Sequence, residues 1–460
     1  MTRSPIARNR AQTVIICDNH KFCRNYSIAC RVHPGDDAIR GTPPGRIRLL
    51  LTSLKLLRRK SQWTAPVDVD TYYERLVKVV DEMRHIQELE LRLTFMSTQD
   101  SQYSHKLRFT KHFLSVTTSG ITRLRLNCAL EDLHMALSPD THLPRLCTLK
   151  LSLRTDYDSS DPTEPLPLLR SFLMNHADTI EDMDLSFSYR INPSTLLIDL
   201  PVFPRLSDLL LSYHIISLDP SFLAGLKQFM SLNHNHLRGL YLVIRSHPFI
   251  HSVPHNAVFA SGTTATLIPI HDLKELSIRM TSRSILAMNV KPHLQQYQST
   301  LTSLQLNTNI WSLTEIRHAF SGVMLNLGRF SLTVAYLSPT LLAYLALTFP
   351  TLQYLVVDVT FRVASEPDVP FPYHNPQQLP PFARDLSGVR NVLLDWALGS
   401  INVLAHQTAI EDRVLLVQSL PQVRTFCEMD PDEYSQSIDD PGPALRKRGG
   451  YWGEDYQFDC

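Results

Sequence analysis

Five potential metal ligands lie close together near the start of the chain: Cys17, His20 and Cys23, then Cys30 and His33. Thiolates and imidazoles at intervals of three residues can gather round one tetrahedral zinc ion, so these residue types at this spacing point to metal binding. The spacing matches no familiar zinc knuckle, however, and reduced cysteines in a loop account for it as well. No bound metal is expected. The seven cysteines of the 460-residue chain are odd in number and scattered, which argues against a disulfide framework and for a reducing compartment, cytoplasmic or nuclear. An isolated histidine such as His214 or His318 is expected to be a satisfied structural side chain rather than a base. The chain has no G-x-x-x-x-G-K-[ST] loop and no H-E-x-x-H, G-x-S-x-G or H-R-D set, which removes the common P-loop, metalloprotease, hydrolase and kinase readings. The expectation is a protein that is not an enzyme and needs no cofactor.

Charge narrows the partners. The 45 Lys+Arg nearly balance 44 Asp+Glu, but residues 1 to 60 hold 13 basic and three acidic side chains, and residues 428 to 460 hold three and nine. A basic arm can meet nucleic acid or an acidic partner. Only Phe22 and Tyr26 interleave with its basic residues, a thin basis for stacking bases, so nucleic acid is not the expected partner. No apolar run approaches the roughly 20 residues of a membrane span. The domain reading is a basic arm over 1 to 45, a repeat region over 46 to 430, and an acidic, aromatic tail over 431 to 460.

Leucine supplies 70 of the 460 residues against 15 glycines, and it recurs in a pattern of one apolar residue, two spacers, a second, one spacer and a third. The matches are Ile86-Leu89-Leu91, Ile121-Leu124-Leu126, Leu146-Leu149-Leu151, Ile180-Met183-Leu185, Leu206-Leu209-Leu211 and Leu237-Leu240-Leu242. Leu273-Leu276-Ile278, Leu301-Leu304-Leu306, Leu327-Phe330-Leu332, Leu352-Leu355-Val357 and Val389-Val392-Leu394 continue the series. The last two positions of each are two apart, as on one face of a strand, so each match predicts one short strand. Helical patterns fill the intervals at 72–83, 166–175, 221–230, 284–290, 313–325 and 340–347, several opening on a cap or proline, as at Ser312, Asp219-Pro220 and Ser338-Pro339. Strand and helix alternating at such a period, with no unit able to bury its own face, predict stacking into a parallel-sheet solenoid.

These residues resemble the leucine-rich repeat family over most of positions 86 to 395. The resemblance implies an α/β solenoid with a parallel sheet on a concave face and helices on a convex one. The period wanders, and an asparagine follows the core in register clearly only at Asn309, so an irregular arc is expected, with insertions at 156–165, 247–270 and 364–381. A narrower resemblance lies in Leu50-Leu51-Thr52-Ser53-Leu54-Lys55-Leu56, where Leu51-Leu54-Leu56 fits the same template, followed by the helix at 72–83 and Ile86 to Leu93. This is similar to the junction at which fungal-type F-box proteins pass into their repeats. The Leu-Pro-x-Glu opening and amphipathic helices of an F-box are missing from residues 1 to 45.

On such a solenoid the binding surface would be the strand residues that alternate with the buried leucines. Along that row the sign changes, with acidic Glu88 and Glu90 beside basic Arg123 and Arg125, then acidic Asp182 and Asp184. Leu210, Tyr241, Val243 and Tyr354 stand out as apolar anchors. The row ends at Asn391, Leu393 and Asp395. The resemblance implies a protein client on this face, as in a substrate-recognition subunit of an F-box ubiquitin ligase or an F-box-less relative, with a ligase adaptor only if an F-box is present. The alternative is a free-standing repeat protein whose basic arm, with or without zinc, contacts nucleic acid or an acidic partner.

Overall fold

The computed structural model describes residues 13–18, 28–30, 49–51 and 87–93, and then, with short gaps, the spans 111–155, 165–215, 224–246, 270–280, 290–359, 391–405 and 416–429. The strands are β1 (Thr13–Asp18), β2 (Ile28–Cys30), β3 (Leu49–Leu51), β4 (Glu88–Leu93), β5 (Arg123–Ala129), β6 (Thr148–Arg154), β7 (Asp182–Phe187) and β8 (Asp208–Ile215). They continue as β9 (Gly239–Ser246), β10 (Glu275–Met280), β11 (Ser303–Trp311), β12 (Arg329–Val334), β13 (Tyr354–Val359), β14 (Ser400–Ala405) and β15 (Thr425–Phe426). The described helices are α1 (Leu133–Ala136), α2 (Leu166–Asn175), α3 (Pro193–Leu197), α4 (Ala224–Asn233), α5 (Lys291–Gln296), α6 (Leu313–Phe320) and α7 (Pro339–Thr348).

One parallel sheet of 13 strands runs β1, then β4 to β15 in chain order, and it does not close. The fold is an α/β leucine-rich-repeat solenoid of irregular period. The chain divides into two compact units, Met1–Leu237 with Val243–His251 and Arg238–Leu242 with Ser252–Cys460, so the division falls within β9.

The repeated triplets form the core. In the first unit Ile121, Leu124 and Leu126 are at most 1% exposed, and Leu146, Leu149, Leu206, Leu209 and Leu211 are fully buried. In the second, Leu301, Leu304, Leu306, Leu352, Leu355 and Val357 are buried to the same degree. Burying each such side chain contributes roughly 1.5–3 kcal/mol, which is why the pattern recurs at every turn. Alternate strand residues remain partly open, as the patterns of β6, β7 and β13 show. Helices cover the leucine face: Phe320 of α6 packs edge-on against Phe330 of β12 and against Phe349, with ring centroids 5.5 and 5.1 Å away.

Adjacent turns are tied at the start of each strand. The N–H groups of Cys147 and Thr148 both donate to the carbonyl of Thr122, at 2.8 and 3.0 Å, and those of Gly328 and Arg329 converge in the same way on Thr302. Hydroxyl side chains add to this ladder, Thr122 Oγ1 donating to the Gln87 carbonyl and Thr302 Oγ1 to that of Lys274. In-register stacking follows, since each carbonyl fixes the start of the next strand.

Several expectations hold and several move. Helix α2 occupies its expected span, and α6 opens on a complete capping box between Ser312 and Glu315. Ser338 caps α7, with Pro339 at its first position. Helix α4 covers residues 224–230 of the predicted 221–230 span and continues to Asn233; residues 221–223 lie outside the described residues. The short helices α1 and α3 have no counterpart in the sequence reading. The final triplet is a correction: residues 391–394 are helical, and the strand that pairs with β13 is β14, built on Leu398, Ile401 and Val403. Leu49–Leu51 pairs antiparallel with β2 in a separate sheet, and Leu54 and Leu56 of the Leu51-Leu54-Leu56 match lie outside the described residues. Within the stretch read as a basic arm, β1 pairs parallel with β4 and extends the main sheet. The predicted helix at 72–83, most of that at 284–290, and the insertions at 156–164, 247–269 and 364–381 lie outside the described residues.

Candidate functional site

The partly open sheet face, opposite the helices, carries the predicted row. Its first unit is a grid of charge set by register. Glu88, Arg123, Thr148, Asp182 and Asp208 stand side by side in one rank, and Glu90, Arg125, Lys150, Asp184 and Leu210 in the next. Opposite charges pair across the strands: Arg123 reaches Glu88 at 3.9 Å, Arg125 reaches Glu90 at 3.8 Å and Lys150 reaches Asp184 at 3.9 Å. The alternating sign that the sequence displays is therefore satisfied in part within the sheet. Glu90 is buried, whereas Arg123 is exposed.

Asp182 and Asp208 break this complementarity, because β7 and β8 put them directly opposite one another. Burial pushes the Asp182 carboxyl above its ordinary range; Lys150 opposes the shift, Asp208 reinforces it, and Arg123 opposes it less strongly. Ser207 Oγ donates to Asp208 at 2.6 Å. Leu210 sits beside Asp184 and forms an apolar edge of the grid.

The second unit is built from hydroxyls and amides instead. Tyr241 Oη donates to Glu275 at 2.6 Å, Ser277 Oγ to Gln305 at 2.9 Å, and Asn402 Nδ2 to Tyr354 Oη at 2.7 Å. Asn402 is 5% exposed and its Oδ1 has no hydrogen-bond partner among the described residues. Both predicted tyrosines thus lie partly buried on the open face, each held by a polar neighbour. Val243 is half-buried on β9.

A cleft of about 1050 Å³ opens in the second unit at the N-terminal margin of this face. Glu275, Arg329 and Tyr354 project from the first positions of their strands into it. Gln353 and Arg424 line it from the positions just before β13 and β15, and residues 394–397 form a wall that includes Asp395. The wall is the segment that the sequence assigned to a strand, so Asn391 and Leu393 leave the predicted row and Asp395 joins the cleft from a different element. Sequence reasoning placed Tyr354 on the face and missed Arg329 and Arg424 as a pair, since β12, which carries Arg329, and β15, which Arg424 precedes, are separated by two strands.

The zinc candidates Cys17, His20, Cys23, Cys30 and His33 are not brought into view as a site, because their side chains lie outside the described residues. Among the described residues no group of three or more His, Cys, Asp or Glu is placed to hold a metal ion. Cys128, Cys147 and Cys427 form no disulfide. No described helix is long and apolar enough to cross a membrane.

No known protein family and no curated protein matches the chain. Among solved structures, a chain from a crystal structure of a Rad7 and Elc1 complex in yeast is similar at 16% identity with a TM-score of 0.32, the match covering 68% of this chain and 89% of that one. A likeness this distant carries no argument about function.

Proposed function

We propose that the protein is a non-enzymatic scaffold that binds a protein client on the open face of its sheet. The observation that supports this reading is the grid of Arg123, Arg125, Asp182, Asp184 and Leu210, a fixed array of both charge signs edged by an apolar side chain. Such arrays favour partners of complementary charge pattern and reject others. Tyr241 and Tyr354 on the second unit have the amphipathic character of interface anchors. The fold class itself is one whose sheet offers extended surface to partners.

The finer role is that of a substrate-recognition subunit like those of F-box ubiquitin ligases, or of an F-box-less relative. It rests on the resemblance of residues 50–56 and 86–93 to the junction between an F-box and its repeats. In this role the sheet face holds the client, and a ligase adaptor is a partner only where an F-box is present.

The test is affinity purification of the full chain with cross-linking and mass spectrometry. A client cross-linked to the open-face strands, and lost when Tyr241 and Tyr354 are both changed to alanine, is the expected result; each anchor is worth on the order of 1–2 kcal/mol. A client that binds the double variant with unchanged affinity overturns the face as the site. Adaptor and cullin co-purifying at the client's stoichiometry overturn the F-box-less role.

A further inference from the structure

The cleft of the second unit contains two arginines that no described residue engages. Arg329 and Arg424 are exposed and line it, and among the described residues the side chain of neither makes an ion pair or hydrogen bond. This contrasts with the first unit, where Arg123, Arg125 and Lys150 each face a carboxylate. An arginine fork is suited to bidentate capture of a carboxylate. The two carboxylates in the cleft are placed differently, Glu275 receiving the Tyr241 hydroxyl and Asp395 standing on the wall.

Two glycines keep the cleft floor open. A Cβ on Gly328 would come no nearer than 3.8 Å to the Thr302 carbonyl, and one on Gly399 no nearer than 3.5 Å to that of Gln353. Both are ordinary contacts, and neither glycine adopts a positive φ. Neither backbone position therefore requires glycine for folding, and both line the cleft. What their bareness provides is room over the sheet margin.

We propose that this cleft holds an extended segment of a protein partner, with one acidic side chain on Arg329, a second on Arg424 and a basic side chain toward Glu275. The proposal rests on the protein-binding reading above and gives that reading a second, more specific contact. Strand spacing sets the distances. Glu275 lies on β10, Arg329 on β12 and Arg424 just before β15; at about 4.8 Å per strand, the steps are roughly 10 and 14 Å. An extended peptide rises about 3.3 Å per residue, so its basic residue and its two acidic residues fall about three and then four residues apart. The mixture of signs favours a peptide over a nucleic acid strand, whose phosphates Glu275 and Asp395 would repel, and Trp396 is too deeply buried to stack on a base.

The probe is a fluorescein-labelled octapeptide, Lys-Ser-Ser-Glu-Ser-Ser-Ser-Glu, blocked at both ends, with the charge-inverted peptide as control. Fluorescence polarisation with the full chain is expected to show at least tenfold preference for the first. The double variant R329E/R424E is expected to lose at least tenfold in affinity and to prefer the inverted peptide. G328F, which fills the floor, is expected to lose the octapeptide as well, while K291E on the helix-covered side of the same unit retains it. Equal binding of the two peptides, or binding that R329E/R424E leaves intact, overturns the proposal, and so does a ten-residue oligothymidylate that displaces the octapeptide. A client that is captured but not displaced by the octapeptide sinks the cleft and leaves the protein-binding reading standing. Octapeptide binding that depends on both arginines, with no client captured by the chain, supports the cleft and sinks that reading.

Discussion

The backbone N–H of Leu143 donates to Nε2 of His176 at 2.8 Å, across one turn of the solenoid. Nδ1 of the same ring lies 2.7 Å from the Phe172 carbonyl. A ring nitrogen that accepts from an N–H carries no proton, so the imidazole is neutral and protonated on Nδ1. Asn233 repeats the arrangement in the same unit: its Oδ1 accepts from the Phe203 N–H at 2.7 Å and its Nδ2 donates to the Phe229 carbonyl at 2.8 Å. Leu143 and Phe203 each stand five residues before a strand, at Thr148 and Asp208; His176 and Asn233 each stand six before the next, at Asp182 and Gly239. In the second unit Tyr297 and Ile270 hold the matching positions before β11 and β10, and the backbone of Ile270 hydrogen-bonds Tyr297, whose hydroxyl burial pushes up to about 12. A buried polar side chain at the end of each of these helical segments thus satisfies the backbone of the preceding turn.

Removing that clamp should destabilise the first unit. His176→Ala leaves the buried Leu143 N–H without its acceptor, at a cost of about 1–3 kcal/mol, while His176→Asn, copying Asn233, should cost less. Urea midpoints for the two variants check the order.

The same clamp predicts a pH dependence. Burial holds the His176 pKa below its usual 6.5, the Phe172 carbonyl opposes this, and His142, stacked 5.7 Å away, lowers it further. Protonation therefore favours the unfolded chain. The contribution of His176 is complete above pH 6.5 and falls as pH drops below it, by at most roughly 1.4 kcal/mol per unit. His176→Asn should flatten that part of the stability profile between pH 7 and 5; an unchanged slope would refute the assignment.

Gly225 of α4 packs against the backbone of α3, where an added Cβ would lie 2.3 Å from the Ser194 carbonyl oxygen and 2.8 Å from its Cα. Neither atom belongs to a flexible side chain, so the helices must separate to admit a methyl group. Gly225→Ala is expected to cost about 1–3 kcal/mol. Faster amide exchange confined to 193–197 and 224–233 would locate the damage.

The two arginines of the first unit's grid should differ in weight. Arg123 pairs with Glu88 where both are substantially solvated, and such pairs are worth at most about 1 kcal/mol. Glu90 has only 6% of its side chain exposed, so Arg125→Met removes a cation from a buried carboxylate. Thermal unfolding should show Arg125→Met well below Arg123→Met, and equal losses would mean that the register pairing contributes nothing.

Much of this architecture is legible in the sequence because its cause is simple: a leucine face has to be buried at every turn. The triplets from Ile121 to Val357 all reach the core. Val389-Val392-Leu394 misleads because a short apolar run has no period of its own to separate strand from helix, and Leu398, Ile401 and Val403 repeat the template a few residues later. His176, Asn233 and Tyr297 escape a motif search because three chemically different side chains do one job. The alternating charges of the face are legible as residue types, but their pairing depends on the parallel register that sets Glu88 beside Arg123.

Asp182 gives the sharpest separation of folding from binding on this face. It stands opposite Asp208, and like charges directly across two strands destabilise the pair. Burial raises its pKa from the usual 3.8, Lys150 opposes that, Asp208 adds to it and Arg123 opposes it. An acid whose pKa is raised by folding gives up stability as pH rises through 3.8 toward the folded value, so at neutral pH the ionised form is a cost to the fold. Asp182→Asn removes the charge, keeps the shape and should be more stable than the parent at pH 7, by an amount on the order of 0.2–1 kcal/mol. The difference should shrink as pH falls below 3.8, where the Asp182 carboxyl is protonated. If the open face reads a basic client, the same variant binds that client more weakly while unfolding at a higher temperature. A variant that loses both stability and client would instead mark Asp182 as a structural residue and remove it from the binding face.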